Sequence, residues 1–344
     1  MSRARGSGSS TSPLKKQTVR AESQVMRALQ SKIQNPKSKM GLRAAGVTII
    51  GPGRLGQALG KLLAEAGVPV RWVVARRIEA ARRAVEFIGM GEPVRLMPQG
   101  GTAPEASVLL LTTADAAIEP LARDLAARLP ARTGARVGQG GRNSPSRGDG
   151  SWKGKVVLHT CGSLPSDVLA PLKRLGAAVG SLHPFQTVPS PEAGVRNLKG
   201  CYWGIEGDAA AVRVARRWVK LLGGKAFLVR ADRKIIYHAA AFLVCPTVVT
   251  LMERSARLLE KSGVPERIAR PMLAGFVAET AGNFSALGPR QSLTGPVARG
   301  DWQTVKLHLA ALRRLAPEVV PVYTELVRDM LRLAGRRAPP GVLD

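Results

Sequence analysis

Aromatic residues, cysteine and acid are all scarce in this chain. Phe, Trp and Tyr make up 4% of its 344 residues, too few along the basic segments to build a platform on which bases would stack. The three cysteines, Cys161, Cys201 and Cys245, lie far apart, form no CxxC pair and leave an odd number. That argues against a disulfide framework and a zinc site and fits a reducing cytoplasm. No uninterrupted apolar run reaches the roughly 18 residues of a membrane span, and no secretory signal is seen at the start. The expectation is a soluble, cytoplasmic protein with no metal centre and no membrane association.

The shortage of acid leaves 24 Asp and Glu against 52 Lys and Arg, a formal net charge of +28. Residues 1–40 carry nine basic residues against Glu22 alone, and residues 128–155 carry seven against Asp149 alone, so half of the excess lies in these two stretches. Both are Gly, Ser and Arg rich without apolar periodicity, which predicts a disordered basic tail over 1–44 and a disordered insertion over 130–153. A short tail is expected over 336–344. A solvated tail and surface insertion is the favoured reading. A nucleic-acid or membrane-surface arm, an organelle-targeting start, or an overlong start upstream of Met26 or Met40 are the alternatives.

What the chain does have is length for two domains. From Gly46, GVTIIGPGRLGQALGKLLAEAGVPVRWVVARR reads as a buried strand, a glycine turn, a helix and a second strand, the opening of a βαβ unit. Gly51, Gly53 and Gly56 form GxGxxG there. Gly51 allows the tight turn, Gly53 lets the backbone approach a pyrophosphate, and Gly56 lets helix and strand pack closely; the helix start, Arg54 and Leu55, faces the phosphates.

A carboxylate that reads the adenine ribose would stand about 20 residues past the last glycine. Arg76 and Arg77 stand there instead. A guanidinium pairs with a 2′-phosphate, whereas a carboxylate would repel it, so the predicted cofactor is NADP(H). The alternative is that both arginines merely begin a basic surface helix.

Three further buried strands end in polar residues: SVLLLTT in Thr112 and Thr113, KVVLHTCGS in His159, Thr160 and Ser163, and AAVGSLHPFQ in His183 and Gln186. Ligands of open α/β sheets bind at that edge. Beyond Asp232 the chain reads as helices only, so a Rossmann domain over 45–230 is followed by a helical domain over 231–335. The first helix places Lys234, Tyr237 and His238 on one face by their spacing of three and four. In the loop SLTGPVARGDWQTV, Asp301 is a good helix N-cap and Arg299 is the only cation, able to hold an anionic substrate group.

The order GPGRLGQALG, HTCGS, SLHPFQT, KIIYHAAAFLV, LTGPVARGD resembles Rossmann-like proteins with a C-terminal domain of unknown function 2520. Their relatives in architecture are β-hydroxyacid dehydrogenases, pyrroline-5-carboxylate reductases and deazaflavin-dependent NADP reductases. The resemblance covers about residues 45–335. It implies an NADP-type Rossmann domain, a helical domain that often dimerises, and a substrate cleft. In the related β-hydroxyacid dehydrogenases a lysine on the first interdomain helix acts in proton transfer with an asparagine one turn later; the matching positions here are Lys234 and His238. Similar family members tend to have Ser-Asn where this chain has Cys245 and Pro246, and that proline is expected to kink the helix.

The predicted function is hydride transfer between NADP(H) and a small carbonyl, hydroxy-acid or imine compound. Lys234 or His238 would move the proton, Ser163 and His183 would orient the substrate, and Gln186 and Arg299 would bind it. The alternatives are a non-catalytic NADP-binding sensor or partner-binding protein, and a nucleic-acid-associated protein acting through its basic arm.

Overall fold

The fold is that of a computed structural model, which describes residues 46–96, 106–127 and 152–343. The expected disorder over 1–44 and 130–151 lies outside the described residues. The chain divides into two compact units at Ala241 and Phe242, later than the expected 230/231, because the first turns of the long helix remain anchored to the sheet.

The first unit is built on β1 (Val47–Ile50), α1 (Arg54–Glu65), β2 (Val70–Ala75), α2 (Ile78–Ile88), β3 (Glu92–Arg95), β4 (Val108–Leu111), α3 (Asp115–Ala127), β5 (Val156–His159), α4 (Ala170–Lys173), β6 (Ala178–Pro184), α5 (Pro191–Asn197), β7 (Tyr202–Gly207), α6 (Ala209–Leu221) and β8 (Lys225–Leu228). The strands form one sheet in the order β3-β2-β1-β4-β5-β6-β7-β8. Only the β6–β7 pair is antiparallel. This is a doubly wound Rossmann-type sheet, as the sequence predicts.

The apolar strands are continuous because both faces are covered. Val47, Ile49, Val108, Leu110, Val156 and Leu158 enter one core with Leu59, Leu63 and Trp218, while Ile50, Leu109, Leu111 and Val157 enter the other with Ile118, Leu125 and Leu169. Trp152, expected in the disordered insertion, is 1% exposed in the second core; its ring is the anchor where the insertion rejoins the sheet. Strand β3 was not legible, since EPVR is polar and contains a proline. It is tolerated as an edge strand.

The second unit holds the rest of α7 (Lys234–Lys261), then α8 (Glu266–Ser292), the short α9 (Pro296–Arg299), α10 (Trp302–Leu315) and α11 (Val320–Ala334). Its core is Val297, Val305, Leu309, Val327, Leu331 and Val342. Within the tail expected over 336–344, Val342 is buried in this core, and Ala338 and Leu343 pack against it. Pro246 does not break α7, which runs on to Lys261. The Thr247 hydroxyl donates to the Phe242 carbonyl at 3.2 Å, the acceptor that the missing proline N–H would leave empty.

The stretch Ala231–Lys261 is long and apolar enough to cross a membrane by length and composition, with a mean hydropathy of 1.9 over 18 residues, none of them buried. The apolar run is not uninterrupted: Tyr237, His238 and Thr247 break it without adding charge. Among the 27 residues of α8 only Ala269 is buried, and Ile268, Met272, Phe276, Phe284 and Leu287 are exposed.

Candidate active site

From β1 the chain runs to β2 and β3 on one side and then crosses to β4 on the other, so the ends of β1 and β4 form the topological switch point. Gly51 turns there at φ +82°, its N–H donating to the Val74 carbonyl at 2.9 Å. The Thr112 hydroxyl donates to the Gly51 carbonyl at 2.7 Å. A Cβ on Gly56 would strike the Thr112 side chain, and one on Gly51 would strike Thr113; one on Gly53 would meet nothing within 4 Å. Gly53 caps α1 without a side-chain hydrogen bond, and the first turn holds no acid. These residues therefore leave an open, acid-free helix N-terminus that suits a pyrophosphate. Arg54 donates from Nη1 to the Pro189 carbonyl at 3.1 Å, and Leu55 packs against the first core. At the end of β2, Arg76 and Arg77 are exposed, with Arg77 at the N-cap of α2. The residues present fit an NADP-type dinucleotide.

A second cluster forms where β5, β6 and β7 meet the first turns of α7. Three of the chain's four histidines stand in it. Lys234, 2% exposed, donates from Nζ to the Cys161 carbonyl at 3.0 Å and the Ser181 hydroxyl at 2.5 Å, and pairs with Glu206 Oε1 at 3.6 Å. Burial lowers its pKa, against the opposing pull of Glu206. An ammonium has three N–H donors, and all three point into the protein. Lys234 thus anchors the start of α7 to the turn after β5 and to β6 and β7.

Tyr237 and His238 stay on the same helix face as Lys234, as the spacing predicts. The Tyr237 hydroxyl lies 2.8 Å from His183 Nδ1, and the His183 and His238 rings meet edge to face at 5.8 Å. A Cβ on Gly162 would come within 2.6 Å of His238 Nδ1 and 2.7 Å of His183 Nε2. Only glycine at position 162, the fourth residue of HTCGS, lets both rings close over the turn. Burial and the Lys234 charge lower the His183 pKa to about 4, and burial raises that of Tyr237 to about 12. Both are neutral at pH 7.

The remaining candidates separate. His159 is 0% exposed and accepts the Cys161 amide on Nδ1 at 3.2 Å; burial and the Lys234 charge lower its pKa to about 3. It is a neutral core histidine. Ser163 Oγ lies 3.2 Å from Cys161 Sγ, whose pKa burial raises. The Thr160 side chain is buried. Gln186 is exposed and accepts the Thr187 amide with its own side chain at 2.8 Å. Arg299 belongs to the second unit and ends α9, exposed; beside it Asp301 caps α10, accepting from the Thr304 amide at 3.1 Å, as predicted. Glu206 and Ser181 were missed. The signal was present: an acid in YWGIEG and a serine in AVGSLHP, each inside a strand buried on both faces.

Residues 201–330, from β7 into α11, match the family described as Domain of unknown function (DUF2520). The chain carries a C-terminal DUF2520 domain. That domain includes Glu206, Lys234, Tyr237 and His238, and therefore half of the cluster. No curated protein matches the sequence significantly. Among solved structures, a candidate NADP oxidoreductase from Bacteroides fragilis is similar at 21% identity and TM-score 0.63, over 85% of this chain and 100% of that one. A protein from Thermotoga maritima is similar at 22% identity and TM-score 0.60, over 84% and 98%. A pyrroline-5-carboxylate reductase from Coxiella burnetii is similar at 17% identity and TM-score 0.51, over 84% and 98%. At these identities the likeness is one of fold.

Proposed function

We propose that the protein is an NADP(H)-dependent oxidoreductase acting on a small carbonyl, hydroxy-acid or imine compound. The observation that carries this reading is the switch point itself. An open, acid-free turn at Gly51 to Gly53 lies beside exposed Arg76 and Arg77, where a ribose-reading carboxylate would otherwise stand. The fold shared with the candidate NADP oxidoreductase and with the pyrroline-5-carboxylate reductase supports it.

The backbone N–H groups of Arg54 and Leu55 would hold the pyrophosphate at the start of α1, and Arg76 and Arg77 would hold the 2′-phosphate. Thr112 and Thr113 close the strand end beside them. When bound, NADP(H) gives or takes the hydride. His183, His238 and Ser163 face the substrate, while Lys234 fixes the HTCGS turn that carries Ser163. His238, whose ring meets that of His183 edge to face, is the proton-exchanging group in this scheme. The exposed apolar residues of α8 support a homodimer through the DUF2520 domain.

Calorimetric titration with NADPH and separately with NADH tests the cofactor. The wild type is expected to prefer NADPH, and Arg76→Ala with Arg77→Ala to lose that preference. If neither nucleotide binds, the oxidoreductase reading fails. Binding without turnover across a panel of small carbonyls and imines would leave a non-catalytic sensor.

A further inference from the structure

Lys234 holds one side of the peptide between Cys161 and Gly162, and nothing among the described residues holds the other. Its ammonium donates to the Cys161 carbonyl at 3.0 Å. The peptide is trans, so the Gly162 N–H points away from the lysine. Gly162 is buried, yet among the described residues its N–H donates to no acceptor. Buried amides without a partner are rare in folded chains. Two more nitrogens meet it there. A Cβ built on Gly162 would lie 2.6 Å from His238 Nδ1 and 2.7 Å from His183 Nε2, and the glycine's own nitrogen is about 2.5 Å from that position by covalent geometry. His238 Nδ1 is buried without a hydrogen bond. His183 Nε2 has none among the described residues, its other nitrogen being the one that meets Tyr237.

We propose that the Gly162 amide is the oxyanion donor of this site, and that the substrate it serves is a carbonyl or hydroxy compound rather than an imine. The choice of substrate rests on the oxidoreductase reading; the attraction of the amide for a negatively charged oxygen does not. Lys234 N–H, the Cys161 carbonyl and the Gly162 N–H form a chain of hydrogen-bonding groups headed by a cation, so the free amide is a stronger donor than an ordinary one. A backbone N–H can only donate. Hydride delivered to a carbonyl carbon pushes the C=O π pair onto oxygen, which then takes one proton, assigned above to His238, to become the hydroxyl. A fixed donor facing that oxygen stabilises the charge as it forms, without having to reorient. An imine is reduced as its iminium, which starts with positive charge on nitrogen and loses it when the hydride arrives, so a cation-backed donor only opposes its binding. Such a substrate calls for a carboxylate. Glu206 is taken up by Ser166 and Lys234, and Asp115, the weakest of the influences on His183, stands exposed at the start of α3.

Cys161 and Gly162 form the only Cys-Gly step in the chain. Labelling cysteine with carbon-13 at the carbonyl and glycine with nitrogen-15 therefore leaves one amide in a carbonyl-edited NMR spectrum, that of Gly162. The full chain is titrated with acetate and with acetamidinium, planar ions of the same shape and opposite charge, with and without saturating NADPH. Acetate is expected to move the Gly162 amide proton downfield to a plateau, and acetamidinium at the same concentrations to leave it in place. No movement with acetate, or equal movement with both ions, would overturn the proposal, and movement with acetamidinium alone would overturn it in favour of an imine. Lys234→Met removes the charge and keeps the stem, and should weaken acetate binding at this amide by about tenfold or more; an unchanged titration would take Lys234 out of its role. If that variant does not fold, the wild-type titration still decides the donor. NADPH binding is read by calorimetry on the same sample. Its failure beside a moving Gly162 amide would sink the oxidoreductase reading and leave the anion site standing, and NADPH binding beside an unmoved amide would do the reverse.

Discussion

Lys234 Nζ stands 3.6 Å from Glu206 Oε1, and both side chains are buried. Glu206 is itself held by the Ser166 amide at 2.7 Å and the Ser166 hydroxyl at 2.8 Å. With the bonds from Lys234 to Cys161 and Ser181, this pair ties β6, β7, the turn after β5 and the start of α7 into one network. Such a pair contributes little compared with a well-packed apolar substitute, but removing one partner strands the other charge in the interior. Lys234→Ala and Glu206→Ala are each expected to cost about 3–5 kcal/mol, and the double variant less than their sum. Denaturant unfolding of the three variants measures this, and purely additive losses would contradict a coupled pair.

The glycine turn separates stability from cofactor binding. Gly53 has an extended backbone that alanine adopts, and a Cβ there meets nothing. Gly53→Ala should leave the melting temperature unchanged and weaken NADPH binding by about tenfold or more, since the methyl occupies the approach of the pyrophosphate. Gly56→Ala drives a methyl into Thr112 and should cost about 1–3 kcal/mol of stability. Calorimetry beside thermal melting reads both, and a destabilised Gly53→Ala would overturn the assignment of the open face.

Two buried neutral histidines set an acid limit on stability. The folded pKa values of His159 and His183, about 3 and about 4, lie below the ordinary 6.5. Below pH 6.5 the unfolded chain therefore binds protons that the folded chain does not. The stability that both contribute is present above that pH and is lost as pH falls, His183 levelling off near 4 and His159 near 3. Each contributes a slope of up to about 1.4 kcal/mol per pH unit within its window. Unfolding free energies at a series of pH values check this, and His183→Gln should remove one share of the slope.

The homodimer reading rests on α8, which is kinked at Gly288 and has one buried side chain, Ala269, among its 27 residues, so its own packing does little to sustain it. Its apolar residues and those of α7 border a groove of about 870 Å³ lined by Leu258, Leu259, Met272 and Phe276. Glu266, Arg267, Arg270 and Glu279 make α8 costly to place in lipid, which favours a second copy over a membrane. Light scattering in detergent-free buffer should give a dimer, and Met272→Glu with Phe276→Lys a monomer of lower melting temperature. Recovery of the wild type only from the membrane fraction would refute this.

Much of the first unit was legible because its physics is local. A strand buried on both faces must be apolar throughout, a tight turn beside a phosphate must be glycine, and a helix face repeats every three or four residues. These rules sufficed for β1, α1, β2, β4 and β5, for the glycine turn, and for the shared face of Lys234, Tyr237 and His238. They failed at β3, whose polar residues form a strand only because β2 offers an open edge, and at Trp152, whose burial depends on a core assembled from distant elements.

The sequence by itself determined which residues reach the carboxyl edge of the sheet and the sign of the charge at the end of β2, since strand direction and side-chain alternation follow from composition and order. Only the tertiary structure decided what those residues do to one another. Whether an ammonium faces solvent or Glu206, and whether an imidazole is neutral, depends on burial and on partners brought together from β5, β6, β7 and α7. Spacing along the chain placed Lys234 on the same helix face as Tyr237 and His238, and three-dimensional packing gave its ammonium Cys161, Ser181 and Glu206 as partners.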